Sequence, residues 1–252
     1  MGQPRSFRTE GVVIRSIPMM EAGLMVTLFT REWGKLRAVV HGARKPSSKL
    51  VGHLEVLNCV DLTLHRGRPG NLDIVSQAQI VEAFPALRMR LEGATGGMYM
   101  TEVVDGFGAE GSPNQEIYQL LVQCLRALHG GAPREHVLRY FEMQVLDHSG
   151  FMPELHLCVD CREAVQPGQH LYSPEAGGTL CPSCGIKGQQ VYHMSVNALK
   201  TLRYFRRSSL EEACSLRLEP QLSRELTNLL SGTLKFWLDR EIRSKSFLER
   251  LA

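Results

Sequence analysis

Two Cys-x-x-Cys pairs constrain this chain more than any other feature. Cys158-Val-Asp-Cys161 is followed, after 19 intervening residues, by Cys181-Pro-Ser-Cys184. Each Cys-x-x-Cys turn places two thiolates a bond length from one ion, and two such turns complete a tetrahedral set of four sulfurs. The spacing is that of a zinc ribbon. It predicts one Zn2+ on Cys158, Cys161, Cys181 and Cys184, closed to further ligands and therefore structural rather than catalytic. A total of seven cysteines is odd, which argues against a secreted disulfide framework and for a reducing compartment. Cys59, Cys124 and Cys214 stand alone in apolar surroundings and read as small core residues.

The segments on either side of the ribbon differ in period. Gly11–Ile17, Leu24–Thr30, Lys35–His41, Leu54–His65 and Leu72–Gln77 are short, rich in Val, Leu, Ile and Thr, and separated by turn residues. Glu32-Trp33-Gly34 suits a tight turn, with Gly34 free to take positive φ. Five strands in 80 residues predict a small barrel, with the OB-fold the economical choice and an SH3-like barrel its competitor. After Phe84 the apolar spacing becomes helical over Ala86–Phe107, Asn114–His129 and Arg134–Ser149, and again over Ser195–Arg207. A long last helix is expected over Gln221–Leu251, with Leu226, Leu230, Leu234, Trp237, Leu238 and Ile242 on one side. The expected architecture is α+β and multi-domain. Residues 1–80 form an OB-fold nucleic-acid-binding barrel, 81–154 with 193–252 a helical domain, and 155–192 the inserted four-cysteine zinc ribbon.

Charge is divided along the chain. The formal total is +3, but residues 1–80 carry +5, residues 81–157 carry −5 and residues 193–252 carry +4. Basic ends around an acidic middle point to a polyanionic partner. In Lys35-Leu-Arg-Ala-Val-Val-His41, alternation puts Leu36, Ala38 and Val40 on one face and Lys35, Arg37, Val39 and His41 on the other. Two cations about 7 Å apart would then follow a phosphate backbone. The loop after this strand extends that face with Arg44, Lys45 and Lys49. Phe7, Phe29 and Trp33 are the aromatics available near it for base stacking.

Other classes find little support. Gly106-Phe-Gly108-Ala-Glu-Gly111 matches the spacing of a dinucleotide fingerprint, but it follows a helical stretch and no βαβ unit surrounds it. No phosphate-loop, zinc-protease or serine-hydrolase motif occurs, and the carboxylates are scattered, so a non-catalytic protein without a small-molecule substrate is expected. No apolar run approaches the roughly 18–20 residues of a membrane helix, and the N-terminus lacks an apolar stretch after its charge. With 43% hydrophobic and 22% charged residues, a folded cytoplasmic protein with no membrane partner is expected.

The matching stretches are Gly11-Val-Val-Ile-Arg15, Leu28-Phe-Thr-Arg-Glu-Trp-Gly-Lys35, His41-Gly-Ala-Arg44, Leu138-Arg-Tyr-Phe-Glu142 and Gly150-Phe-Met-Pro153. With Ser173-Pro-Glu-Ala-Gly-Gly178 and the four ribbon cysteines, the chain resembles the bacterial RecO family of recombination and repair mediators. The resemblance runs nearly end to end. It implies a protein that binds single- and double-stranded DNA, anneals complementary strands, engages the acidic C-terminal tail of the single-stranded DNA-binding protein SSB, and with RecR promotes RecA loading. A bacterial, nucleoid-associated location is implied too. The family's basic barrel surface falls here on Arg15, Lys35, Arg37, Arg44 and Lys45, and its metal ligands on the four cysteines. The terminal helix, through Arg224, Lys235, Arg240 and Arg243, is expected to supply the rest of the DNA surface. Arg126, Arg134 and Arg139 are candidates for the SSB-tail pocket. An RNA-binding OB protein and a zinc-containing interaction scaffold stay open as alternatives.

Overall fold

The computed structural model describes residues 5–19, 22–45, 48, 50–68, 71–184 and 191–249. The architecture is mixed α+β, and the chain divides into two compact units, Met1–His129 with Ser244–Ala252, and Gly130–Arg243.

In the first unit β1 (Ser6–Pro18), β2 (Leu24–Thr30), β3 (Gly34–Val40), β4 (Cys59–His65) and β5 (Asp73–Glu82) close a barrel in the order β1-β2-β3-β5-β4. Pairing is antiparallel except where Ala38 and Val39 of β3 meet Asp73 and Ile74 of β5 in parallel. β1 is long enough to serve two neighbours, pairing over Ser6–Val12 with β4 and over Gly11–Pro18 with β2. A register shift between Val13 and Arg15 adds twist there, so the strand curls round the barrel. Alternation sends Val13, Val26, Leu28, Ala38, Val40, Val60 and Leu64 inward, where all are completely buried. Each such Val or Leu contributes roughly 1.5–3 kcal/mol on leaving water.

The turn before β3 needs its glycine twice over. Gly34 has φ +66, and a Cβ there would lie 2.2 Å from the Ser112 carbonyl oxygen. Thr30 closes the turn, its hydroxyl donating to Gly34 O at 2.8 Å and accepting from Trp33 N at 3.1 Å.

Two expected elements are different. The strand expected over Leu54–His65 starts only at Cys59. Ahead of it lie α1 (Leu50–His53) and a turn in which Leu57 takes φ +77. Leu54 and Leu57 are buried, Leu54 within the barrel's core cluster, and a short apolar run of this kind cannot be told from strand by period. The strand expected to end at Gln77 continues to Glu82. The single helix expected over Ala86–Phe107 is two, α2 (Pro85–Met89) and α3 (Leu91–Phe107), broken where Arg90 is extended. Gly93 permits the fold-back, since a Cβ there would come within 3.1 Å of the Leu87 backbone. α4 (Gln115–His129) follows, started by the Asn114 side chain accepting from Ile117 N at 3.0 Å.

The second unit is built round α5 (Arg134–His148), in which every residue from 137 to 146 is buried rather than one stripe. A small sheet, ordered β7-β6-β8, comprises β6 (His170–Ser173), β7 (Gly178–Leu180) and β8 (Tyr192–Met194). Then come α6 (Val196–Arg207), capped by Ser195, α7 (Leu210–Ser215) and α8 (Pro220–Leu238). Tyr172 and Thr233 share a 2.7 Å hydrogen bond, tying β6 to α8. The helix expected to run to Leu251 ends at Leu238, where Asp239 takes a left-handed φ of +48. Leu251 lies outside the described residues. α9 (Lys245–Glu249) belongs to the first unit, where Ser244 N and Oγ both donate to Glu102 Oε2.

Candidate nucleic-acid interface and metal centre

The sulfurs of Cys158, Cys161, Cys181 and Cys184 all lie within 4.8 Å of one another, with Cys161 and Cys181 at 3.9 Å. Sulfurs placed about 2.3 Å from one tetrahedral ion would stand near 3.8 Å apart, so the set fits a metal. The local chain builds the two knuckles. Arg162 N donates to Cys158 O at 3.0 Å with Arg162 at φ +65, and Cys184 N donates to Cys181 O at 3.1 Å. Burial alone would raise the Cys158 thiol. Backbone N–H groups of Cys181, Cys161 and Asp160 outweigh it and hold the group at about 6, whereas hydrogen bonding to the Cys181 thiol pushes Cys184 up. The ribbon is seated through Glu154, whose carbonyl accepts from Thr179 N at 2.9 Å and from its hydroxyl at 3.0 Å. Gly178 leaves room for that contact, because a Cβ there would sit 2.3 Å from Glu154 O.

On the barrel, the expected alternation holds: Leu36, Ala38 and Val40 point inward, while Arg37 and His41 are exposed. The cations on the outer face do not stand alike. Lys35 is turned to the C-terminal part of α3, with its ammonium 3.2 Å from an Asp105 carboxylate oxygen and 2.7 Å from Asp105 O. Its side chain is only 18% exposed. Gly108 packs against Phe29 there, and a Cβ at 108 would lie 2.9 Å from that ring. The glycine-rich run 106–111 is thus a helix end fitted to the barrel. Arg37, 51% exposed, pairs with Glu110 at 2.7 Å. Arg15 is exposed two strands away, and the registers Arg15↔Thr27 and Thr27↔Arg37 place both arginines in one row flanking Thr27. At two strand spacings they stand about 10 Å apart at the backbone. Arg44 and Lys45 are exposed in the following loop, with the Arg44 side chain donating to Met19 O at 3.3 Å. Lys49 lies outside the described residues.

The other expected cations are scattered. Arg224 is exposed on α8. Lys235 is in its last turn, paired with Glu241. Arg240 and Arg243 lie beyond the helix end and are exposed. Arg126 is exposed on α4 and held by Glu82 at 2.7 Å. Arg134 is half-buried at the start of α5. Arg139 is turned into the second unit, 6% exposed, and pairs with fully buried Glu142 at 2.5 Å.

The barrel aromatics are not free to stack on bases. Phe29 is fully buried and Phe7 nearly so, while Phe7 and half-buried Trp33 enclose the Arg66 guanidinium at 4.0 and 4.8 Å. Exposed rings lie elsewhere: Phe247 on α9 of the first unit, 58% exposed, and Phe236 and Trp237 in the second unit. Trp237, expected in the buried stripe of the last helix, is 38% exposed and stacks on Phe151 at 4.4 Å, with Phe236 edge-on at 5.2 Å. The counter-charges Asp105 and Glu110 left no signal in the local sequence of β3, because they come from a segment about 70 residues away.

Comparison with known proteins decides the family. The family description Recombination protein O N terminal matches residues 4–84, and Recombination protein O C terminal matches residues 88–246. The chain belongs to the RecO family. A RecO relative from a Roseiflexus species is 37% identical over 245 residues, covering 97% of this chain and 86% of that protein. Another, from Symbiobacterium thermophilum, is 35% identical and covers 97% of each chain. A third, from Dehalococcoides mccartyi, is 32% identical over all 252 residues and 98% of its own length. Each bears the name DNA repair protein RecO. No helix among the described residues is long and apolar enough to cross a membrane.

Proposed function

We propose that this chain is a non-catalytic, DNA-binding recombination mediator. It anneals complementary single strands and, with RecR and the SSB tail, promotes RecA loading in the bacterial cytoplasm. Residues 1–80 act as an OB-fold, residues 81–154 and 193–252 as the helical part, and residues 155–192 as a ribbon stabilised by one Zn2+. Family membership supports the DNA-repair role. The observation that supports this placement of the DNA is the row Arg15–Thr27–Arg37 on the outer face of the barrel, where two exposed arginines flank a buried threonine. Arg44 and Lys45 extend it.

Annealing asks nothing more of such a face than neutralisation of phosphates, which lowers the repulsion between two strands so that bases can pair. The closed cysteine set supports a metal that holds the ribbon together and takes no part in chemistry. Fluorescence anisotropy of a labelled oligo(dT), a DNA duplex and a structured RNA hairpin, each across a salt series, tests the reading. Binding to both DNAs that weakens linearly on a log–log salt plot supports it. Strong preference for the RNA hairpin would favour an RNA-binding role, and no salt-dependent binding at all would favour a protein scaffold.

A further inference from the structure

A cleft of about 810 Å3 opens along α6 in the second unit, lined by Lys200, Arg203, Arg206 and Arg207 together with Tyr204. Positions 200, 203, 204 and 207 are spaced i, i+3, i+4, i+7, so they share one face, with a cation on each successive turn of about 5.4 Å. Arg203 is fixed in place: its Nε and a terminal nitrogen donate to Leu155 O at 3.0 and 2.5 Å. Lys200, Arg206 and Arg207 have no carboxylate partner among the described residues. The acidic group in the lining is Asp147 alone, and His156 adds a further titratable nitrogen.

Two ordinary roles leave this arrangement unexplained. Cations in the last turn of a helix complement its dipole, and that accounts for Arg206 and Arg207. Two carbonyls in the last turn of α6 are already served by Gln144, which donates to Phe205 O at 2.8 Å and to Arg206 O at 3.3 Å. Lys200 sits in the middle of the helix, beyond the reach of the dipole, and still faces the same cleft. Four cations against one carboxylate raise a positive potential focused by the cleft walls. A regularly spaced row of charge matches a linear polyanion, and the Tyr204 ring beside it offers a base a surface to stack on.

We propose that this cleft binds the sugar-phosphate backbone of a second single strand, in addition to the strand held by the barrel. The proposal rests on the reading that the barrel binds DNA. Two strands per chain would bring complementary sequences together on one molecule.

The test is stoichiometric titration of the full chain with a labelled 12-mer oligo(dT) at low salt. The wild type should take two strands. Lys200→Glu with Arg207→Glu should take one, with the second strand weakened about tenfold or more, and Arg15→Glu with Arg37→Glu should also take one. Lys200→Gln with Arg207→Gln, checked by thermal melt, guards against loss of fold and should show a smaller weakening in the same direction. Cross-linking to a bromodeoxyuridine oligonucleotide should label the peptide containing Tyr204. Two strands retained by the Lys200/Arg207 reversal, or one strand on the wild type, would overturn the proposal while leaving the barrel reading intact. A wild type that binds no oligonucleotide would overturn the barrel reading itself. Poly-aspartate bound at this cleft with no adduct at Tyr204 would overturn the proposal in favour of an acidic peptide.

Discussion

Asp105 holds the Lys35 ammonium with both its carboxylate, at 3.2 Å, and its backbone carbonyl, at 2.7 Å. The tie joins β3 to α3, and it separates two lysine/arginine neighbours that strand alternation alone treats as equals. Lys35→Met should cost about 1–3 kcal/mol of stability, because it removes both the ion pair to the half-buried Asp105 carboxylate and the hydrogen bond to Asp105 O. Its effect on the salt dependence of DNA binding should be small. Arg37→Glu should do the reverse, with little change in melting and a salt slope flatter by about one. Anisotropy across a salt series, beside a thermal melt of each variant, checks both halves.

Removing the metal ligands should loosen the second unit. Cys158→Ser, or prolonged exposure to a chelator, is expected to lower the melting temperature, since binding energy at a closed site is folding energy. Differential scanning fluorimetry with and without added Zn2+ reads this out. A melt that ignores both treatments would mean the four sulfurs are held by packing alone.

Glu154 offers a pH test. Backbone N–H groups of His156 and Leu157 donate to its side chain at 2.7 and 3.2 Å and hold its carboxyl below the usual 4.5. With the folded value depressed, the stabilisation is fully present above 4.5 and is lost as pH falls through the folded value. Glu154→Gln should therefore melt below the wild type at pH 7, by less than about 1 kcal/mol given its solvent exposure. The two melting curves should converge as pH falls below the folded value.

The buried pair Arg139–Glu142 predicts strong non-additivity. Arg139→Met alone should cost about 3–5 kcal/mol by removing the cation paired with the buried Glu142 carboxylate, and Arg139→Met with Glu142→Leu should recover most of it. Urea melts of the three variants measure the coupling. The same burial turns Arg139 away from the surface, while Arg126 is exposed and paired with Glu82.

Much of the molecule could be read from local pattern. The cysteine spacing led to a real cluster, strand alternation oriented β3 correctly, and Gly34 takes the positive φ that the turn suggested. Boundaries failed where a tertiary partner decided them. Leu54 and Leu57 serve as a buried segment before β4 rather than as strand, and α8 stops at Asp239, which adopts a left-handed turn without the help of glycine. α7 was legible and overlooked: Ser209-Leu-Glu-Glu212 is a capping box, with both reciprocal hydrogen bonds formed. The basic face was only partly legible. A strand's period shows which side a lysine takes, but not that Asp105, 70 residues on, is waiting there. The basic spacing on α6 was equally visible, and it gained meaning only once Asp147, His156 and Leu216 enclosed the cleft.

Annealing of two complementary oligonucleotides coated with the single-stranded DNA-binding protein tests the central claim most directly. The chain should accelerate annealing without any nucleotide cofactor, less so as salt rises, and Arg15→Glu with Arg37→Glu should abolish most of the acceleration. Annealing at the same rate with and without the chain, on strands it demonstrably binds, would contradict the account.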